Sequence, residues 1–124
     1  MQRDRLLKKQ TFTKADRLRK RPEFVHLSKT GRRVHDAHFI VLFAPGHHQR
    51  LRLGVTVTKR VGNAVTRNRI KRLSREFFRL KEDTVGKHLD INIIAKKAAT
   101  GLTSAETFTK LESLFKKIER YSVC

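Results

Sequence analysis

The residues between Lys59 and Arg75 carry the densest chemistry in the chain: Lys59, Arg60, Arg67, Arg69, Lys71, Arg72 and Arg75 with Asn63 and Asn68, and no Asp or Glu among them. At about 100° per residue on a helix, Asn68, Lys71, Arg72, Arg75 and Arg79 share an arc opposite Ile70, Leu73 and Phe77. One side is suited to burial and the other presents cations. An Arg fork bonds a phosphate through two N–H groups, and an Asn amide both donates and accepts toward a 2′-hydroxyl or a base edge. With no acid in the run, intrahelical ion pairing does not account for its charges. Gly62, just ahead of the helical spacing, suits a turn or a close approach of helix N–H groups to a phosphate. The pattern points to RNA.

The whole chain agrees: 30 Lys and Arg against 11 Asp and Glu leave +19, which calls for a strongly anionic partner. A membrane surface would need an amphipathic or lipidated anchor, and no motif for either is present. No apolar run approaches the roughly 20 residues of a bilayer span, and the basic stretch Met1 to Lys9 is not followed by a signal-type segment, so a cytoplasmic protein is expected. Cys124 is the only cysteine, which excludes a disulfide framework or cysteine zinc site within one chain. His47-His48 are adjacent in a polar loop beside Pro45-Gly46, and His35 and His38 have no clear carboxylate partner in sequence. They form no acid–base or metal set of their own. Neither catalytic residues nor a protein-held metal are expected.

These groups need a frame, and 124 residues suffice for one core. Residues 1–20 form a basic, partly flexible segment with Phe12 and Leu18 as anchors, and 21–124 a single RNA-binding domain. Pro22, the stripe Phe24, Val25, Leu27 and the stop at Gly31 predict a short helix. Val34 to Phe43 is strand-like until Pro45-Gly46. Leu51, Leu53, Val55 and Val57 alternate strictly with Arg52, Gly54, Thr56 and Thr58, predicting a strand with one core face and one face free for function. Ile70, Leu73, Phe77 and Leu80 predict a helix from about Asn63 to Leu80. Ile91 to Ala95 suits a buried strand parallel to an earlier one, completing a βαβ unit. Thr103 with Glu106 makes a capping box ahead of the stripe Phe108, Leu111, Phe115, Ile118. Phe77-Phe78, Phe108 and Phe115 lie on core stripes and suit packing better than base stacking. The expected fold is α+β, a sandwich on one small sheet with two or three strands ahead of the second helix, in the order α-β-β-β-α-β-α.

The run Arg52-Leu53-Gly54-Val55-Thr56-Val57-Thr58-Lys59-Arg60-Val61-Gly62-Asn63-Ala64-Val65, followed by Arg67-Asn68-Arg69-Ile70-Lys71-Arg72, resembles the bacterial ribonuclease P protein component. The resemblance extends to Arg17-Leu18, to Glu23-Phe24 with Gly31 beyond, to Phe39, and to Asp90 through Lys97. It implies that Arg67, Asn68, Arg69, Lys71, Arg72 and Arg75, continued by Arg79, contact a catalytic RNA near the substrate's 5′ end, supported by Lys59, Arg60 and Asn63. It implies a cleft for the single-stranded leader of precursor tRNA, mapped onto Arg17, Phe24, Phe39, Thr56 and Lys96. Ser28 and Leu42 stand where relatives often carry aromatic residues, which implies leader stacking that is either weaker or differently arranged. A left-handed βαβ crossover is implied too, against the right-handed rule. So are one protein copy per ribonuclease P RNA and hydrolysis by the RNA with Mg²⁺, the protein itself binding no cofactor. The alternative on charge and layout alone is a general or ribosomal RNA-binding protein.

Overall fold

A computed structural model describes residues 17–18, 20–45, 52–85 and 89–123, the side chains at 81–85 and 121–123 excepted. The first helix, α1, spans Arg21–Thr30 with Pro22 in its first turn. Glu23 reaches back to accept a hydrogen bond from the Lys20 N–H at 3.1 Å. At its end the Gly31 N–H donates to the Leu27 carbonyl at 2.8 Å. Glycine is required there by proximity, since a Cβ would lie 2.5 Å from the Leu27 oxygen and 3.1 Å from that of Phe43. Of the expected apolar stripe, Leu27 is buried and Phe24 half-buried, whereas Val25 is 39% exposed.

The segment expected as one strand over Val34 to Phe43 is a hairpin: β1 is Arg32–His35 and β2 is Phe39–Pro45. Its turn is held by Asp36, whose carboxylate accepts from the N–H groups of His38 at 2.7 Å and Phe39 at 2.8 Å. A short polar side chain thus supplies the turn that Gly or Pro would signal. Then follow β3, Arg52–Thr56; α2, Ala64–Val85; β4, Leu89–Ala95; a 3-10 turn, Lys97–Gly101; and α3, Ser104–Val123. The sheet order is β1-β2-β4-β3, with β4 parallel to β3 and antiparallel to β2. The βαβ unit and the α+β class are those expected.

Strand alternation divides the sheet into two faces. Phe39, Val41 and Phe43 on β2, Leu53 on β3, and Ile91, Ile93 and Ala95 on β4 join the main core with residues of α2 and α3. On α2 the buried arc takes in Ile70, Ser74, Phe77 and Phe78, and Leu73 is 8% exposed. Leu80, expected on the stripe, falls at the margin of that arc and is 47% exposed. The Phe77 ring meets Phe115 and Phe108 edge-on, with centroids 5.0 and 5.8 Å apart, which makes these rings core elements. The opposite sheet face carries a smaller cluster of Leu18, Leu27 and Leu42 with Phe24, Ile40, Ala44 and Ile94 against it.

The capping box forms as expected: Glu106 accepts from the Thr103 N–H at 2.9 Å and its own N–H donates to the Thr103 hydroxyl at 3.1 Å. The backbone N–H of Thr103, then its side chain, hold the Glu106 carboxyl below its ordinary range. A depressed carboxyl stabilises the fold above its unfolded pKa, and the contribution is lost as pH falls through the folded value. Glu106→Gln is therefore expected to flatten the acid limb of a plot of urea midpoint against pH. An unchanged limb would remove the cap as a source of acid sensitivity.

Candidate RNA interface

The start of α2 is built by Asn63, whose side-chain oxygen accepts from the Thr66 N–H at 2.9 Å while its carbonyl accepts from Arg67 N–H at 2.9 Å. This is an N-cap, so Asn63 contributes by starting the helix. Just before it, Val61 is buried and its N–H donates to the Thr58 carbonyl at 3.0 Å, anchoring the turn that leaves Lys59 and Arg60 exposed. Beyond the cap, Asn68 and Arg72 are exposed and Arg67, Arg69, Lys71, Arg75 and Arg79 half-buried, against the buried Ile70, Leu73 and Phe77 on the other side.

Arg69, on the flank of the arc, and Arg79, on the arc itself, have partners within the fold. Arg69 donates through its Nη2 to the Leu102 carbonyl at 3.1 Å, tying α2 to the approach to α3. Arg79 pairs with Glu76 one turn away. Arg17, expected beside the leader cleft, instead lines an open pocket of about 210 Å³ with Arg72, Arg75, Glu76 and Arg79. It is placed there because Leu18 N–H donates to the Leu53 carbonyl at 2.9 Å and Arg17 bridges Leu53, so Arg17 and Leu18 lie along the outer edge of β3. Burial, then the charge of Arg17, lower the hold of Arg75 on its proton. Four cations around one carboxylate leave the pocket with an excess of positive potential.

On the smaller face of the sheet, the register aligns Ile40, Ile94 and Thr56 in one row and Leu42, Asn92 and Gly54 in the next. α1 covers the second row: Leu27 clusters with Leu42, and the Phe24 ring lies so close over Gly54 that a Cβ there would be 2.4 Å from it. The first row is half-buried and lies beside α1 as an apolar strip with a polar end, Thr56, which donates to the Asn92 side-chain oxygen at 3.2 Å. Phe24 borders this strip. Phe39 does not: it is fully buried in the main core on the other face, because it is one residue out of phase with Ile40. Leu42 is buried under α1 and Ser28 is exposed. Lys96, past the end of β4, donates through Nζ to the Asp36 carbonyl at 2.7 Å and braces the hairpin turn.

Asn92 and the ionic group around Arg52 were not anticipated as site residues. Arg52 was expected on an open face, yet it is 8% exposed, contacting Glu23 of α1 at 2.9 Å and Asp90 of β4 at 3.2 Å. Burial opposes its charge, but Asp90 and Glu23 outweigh that effect and the guanidinium holds its proton more tightly than usual. Parallel register brings Arg52 opposite Asp90, a contact 38 residues apart in sequence that local spacing cannot reveal. Among the described residues, no three His, Cys, Asp or Glu side chains gather where they could hold a metal ion.

The family model described as Ribonuclease P matches residues 12–119. A ribonuclease P protein component from Desulfatibacillum aliphaticivorans is 50% identical over 112 residues, covering 90% of this chain and 95% of its own length. One from Geotalea uraniireducens is 42% identical over 115 residues, covering 92% of this chain and all of its own. Among solved structures, the Staphylococcus aureus RNase P protein matches with a TM-score of 0.79 at 34% identity, over 84% of this chain and 95% of that one. The Thermotoga maritima RNase P protein matches with a TM-score of 0.75 at 32% identity, over 82% and 96%.

Proposed function

The chain belongs to the family of bacterial ribonuclease P protein components, and on that premise we propose that α2 docks on ribonuclease P RNA while the strip beside α1 receives the leader of precursor tRNA. Membership makes it the accessory protein of an endoribonuclease that matures tRNA 5′ ends, in partnership with an RNA that carries the catalysis. A general or ribosomal RNA-binding role is not favoured, given relatives that match over nearly their whole length.

The observation that carries the docking reading is the acid-free run from Lys59 to Arg75, folded so that its cations lie opposite a buried stripe. Arg67, Asn68, Arg72 and Arg75 offer forks and an amide to phosphates and 2′-hydroxyls. Lys59, Arg60 and Lys71 add charge at the flanks, Arg17 and Arg79 extend the surface at the pocket, and Asn63 and Arg69 hold the helix in place. Ile40, Ile94 and Thr56 give the leader an apolar floor with little to read base identity, and Phe24 gives it a wall for stacking. In this reading one copy serves each RNA in the cytoplasm, residues 21–124 act as one domain to whose sheet edge Arg17 and Leu18 add, and the RNA holds the Mg²⁺.

Cleavage of precursor tRNA at low Mg²⁺ tests the assignment, with bacterial ribonuclease P RNA alone, this protein alone, and both. Strong cleavage is expected only with both; cleavage by the protein alone would overturn it. For the leader strip, Thr56→Glu is expected to weaken binding of a long-leader precursor severalfold and leave a single-nucleotide leader unaffected. Equal loss on both precursors would remove the strip from leader binding.

A further inference from the structure

Glu23 uses its two carboxylate oxygens differently. One accepts from the Lys20 N–H at 3.1 Å and starts α1; the other meets Arg52 at 2.9 Å and ties that helix to the sheet. Arg52 in turn grips Asp90 with two nitrogens, at 3.2 and 3.3 Å. The adjacent residue of α1 is Phe24, whose ring rests over Gly54, two positions along β3 from Arg52 and two short of Thr56. The ion group, the ring and the strip therefore occupy consecutive rows of one sheet face.

Buried ion pairs contribute little net stability over apolar packing of the same volume, because desolvation offsets attraction. Their directional bonds do fix geometry. Without the tie, the start of α1 would be held to the sheet by the Leu18, Leu27 and Leu42 cluster and by the Phe24 contact.

We propose that Arg52 is a positioning residue for leader binding: through Glu23 and Asp90 it sets the height of the first turn of α1, seats Phe24 on Gly54 and so fixes the width of the neighbouring strip. The role rests on the leader reading above and specifies what keeps that strip in shape.

The test uses the assembled holoenzyme and two precursor tRNAs, one with a leader of several nucleotides and one with a single nucleotide. Glu23→Gln keeps an oxygen for the Lys20 N–H but turns an uncharged amide toward Arg52; Arg52→Met removes the cation, and Arg52→Lys restores charge without the fork. For Glu23→Gln, a loss of about fivefold in affinity is expected for the long leader, the scale of one half-buried ion pair. Affinity for the short leader and kcat for either are expected to stay as in the wild type. Arg52→Met should lose more, with Arg52→Lys in between. If Glu23→Gln matches the wild type on both precursors while Thr56→Glu still loses the long leader, the positioning role is overturned and the leader strip stands. If the wild type shows no advantage for the long leader, both fall. Equal losses on both precursors with a lowered melting temperature would make the tie merely structural and overturn the proposal.

Discussion

Replacing Arg67, Arg72 and Arg75 together by Gln is expected to weaken binding of ribonuclease P RNA about a hundredfold near physiological salt, and to take roughly two to three units off the slope of log K against log salt. Each cation that neutralises a phosphate releases close to one counterion, so affinity and salt dependence fall together. Removing only shape or packing would lower affinity with the slope unchanged. Arg69 is the internal control. Its guanidinium is engaged by the Leu102 carbonyl, so Arg69→Gln should lower the urea midpoint while changing the slope by less than any member of the triple. Titrations at several salt concentrations, with folding checked by circular dichroism, decide the matter. An unchanged slope in the triple variant would place the RNA contact elsewhere.

Phe77→Ala is expected to destabilise the fold by about 3–4 kcal/mol, the scale of a large aromatic deleted from a core. Phe77 is 1% exposed and its ring contacts Phe108 and Phe115, so the cavity would open between the helix that carries the cations and the one that braces it. Such a loss is a large fraction of the roughly 5–15 kcal/mol of an ordinary domain, and here +19 of charge already repels itself. Saturating RNA binds only the folded form and should restore much of the lost stability by mass action. Urea unfolding of the free protein and a holoenzyme assay at excess RNA measure the two halves. A variant as stable as the wild type would show that α2 and α3 repack around the gap.

The parts of the fold legible in sequence are those with a local period or a local bond. The alternation through Leu53, Val55 and Val57 marks β3, with Leu51 outside the described residues. The spacing of Ile70, Leu73 and Phe77 marks the buried side of α2, and with it the cationic side, since a helix fixes both at once. Thr103 and Glu106 mark the start of α3. Register was not legible. Phe39 to Phe43 is apolar on both faces, so nothing in the run says which residues meet α1 and which the main core, and Phe39 was assigned to the wrong one. Alternation puts Arg52 on an open strand face because its two carboxylates come from a helix before it and a strand far after it. The position of the hairpin turn carries no Gly or Pro signal, because Asp36 closes it.

The place of β4 also governs how this chain must come to be folded. It is the last strand in the sequence, yet it lies between β2 and β3, which do not touch each other in the sheet. As the chain leaves the ribosome, β1 and β2 can pair at once, but β3 has only the bridge at Arg17 and Leu18 to join until β4 has emerged. Until then α2 also lacks α3, whose Phe108 and Phe115 meet the Phe77 ring in the folded protein. Loop closure across that helix is expected to set the folding rate, so destabilising substitutions in β4 should slow refolding in stopped-flow measurements more than those in the early hairpin.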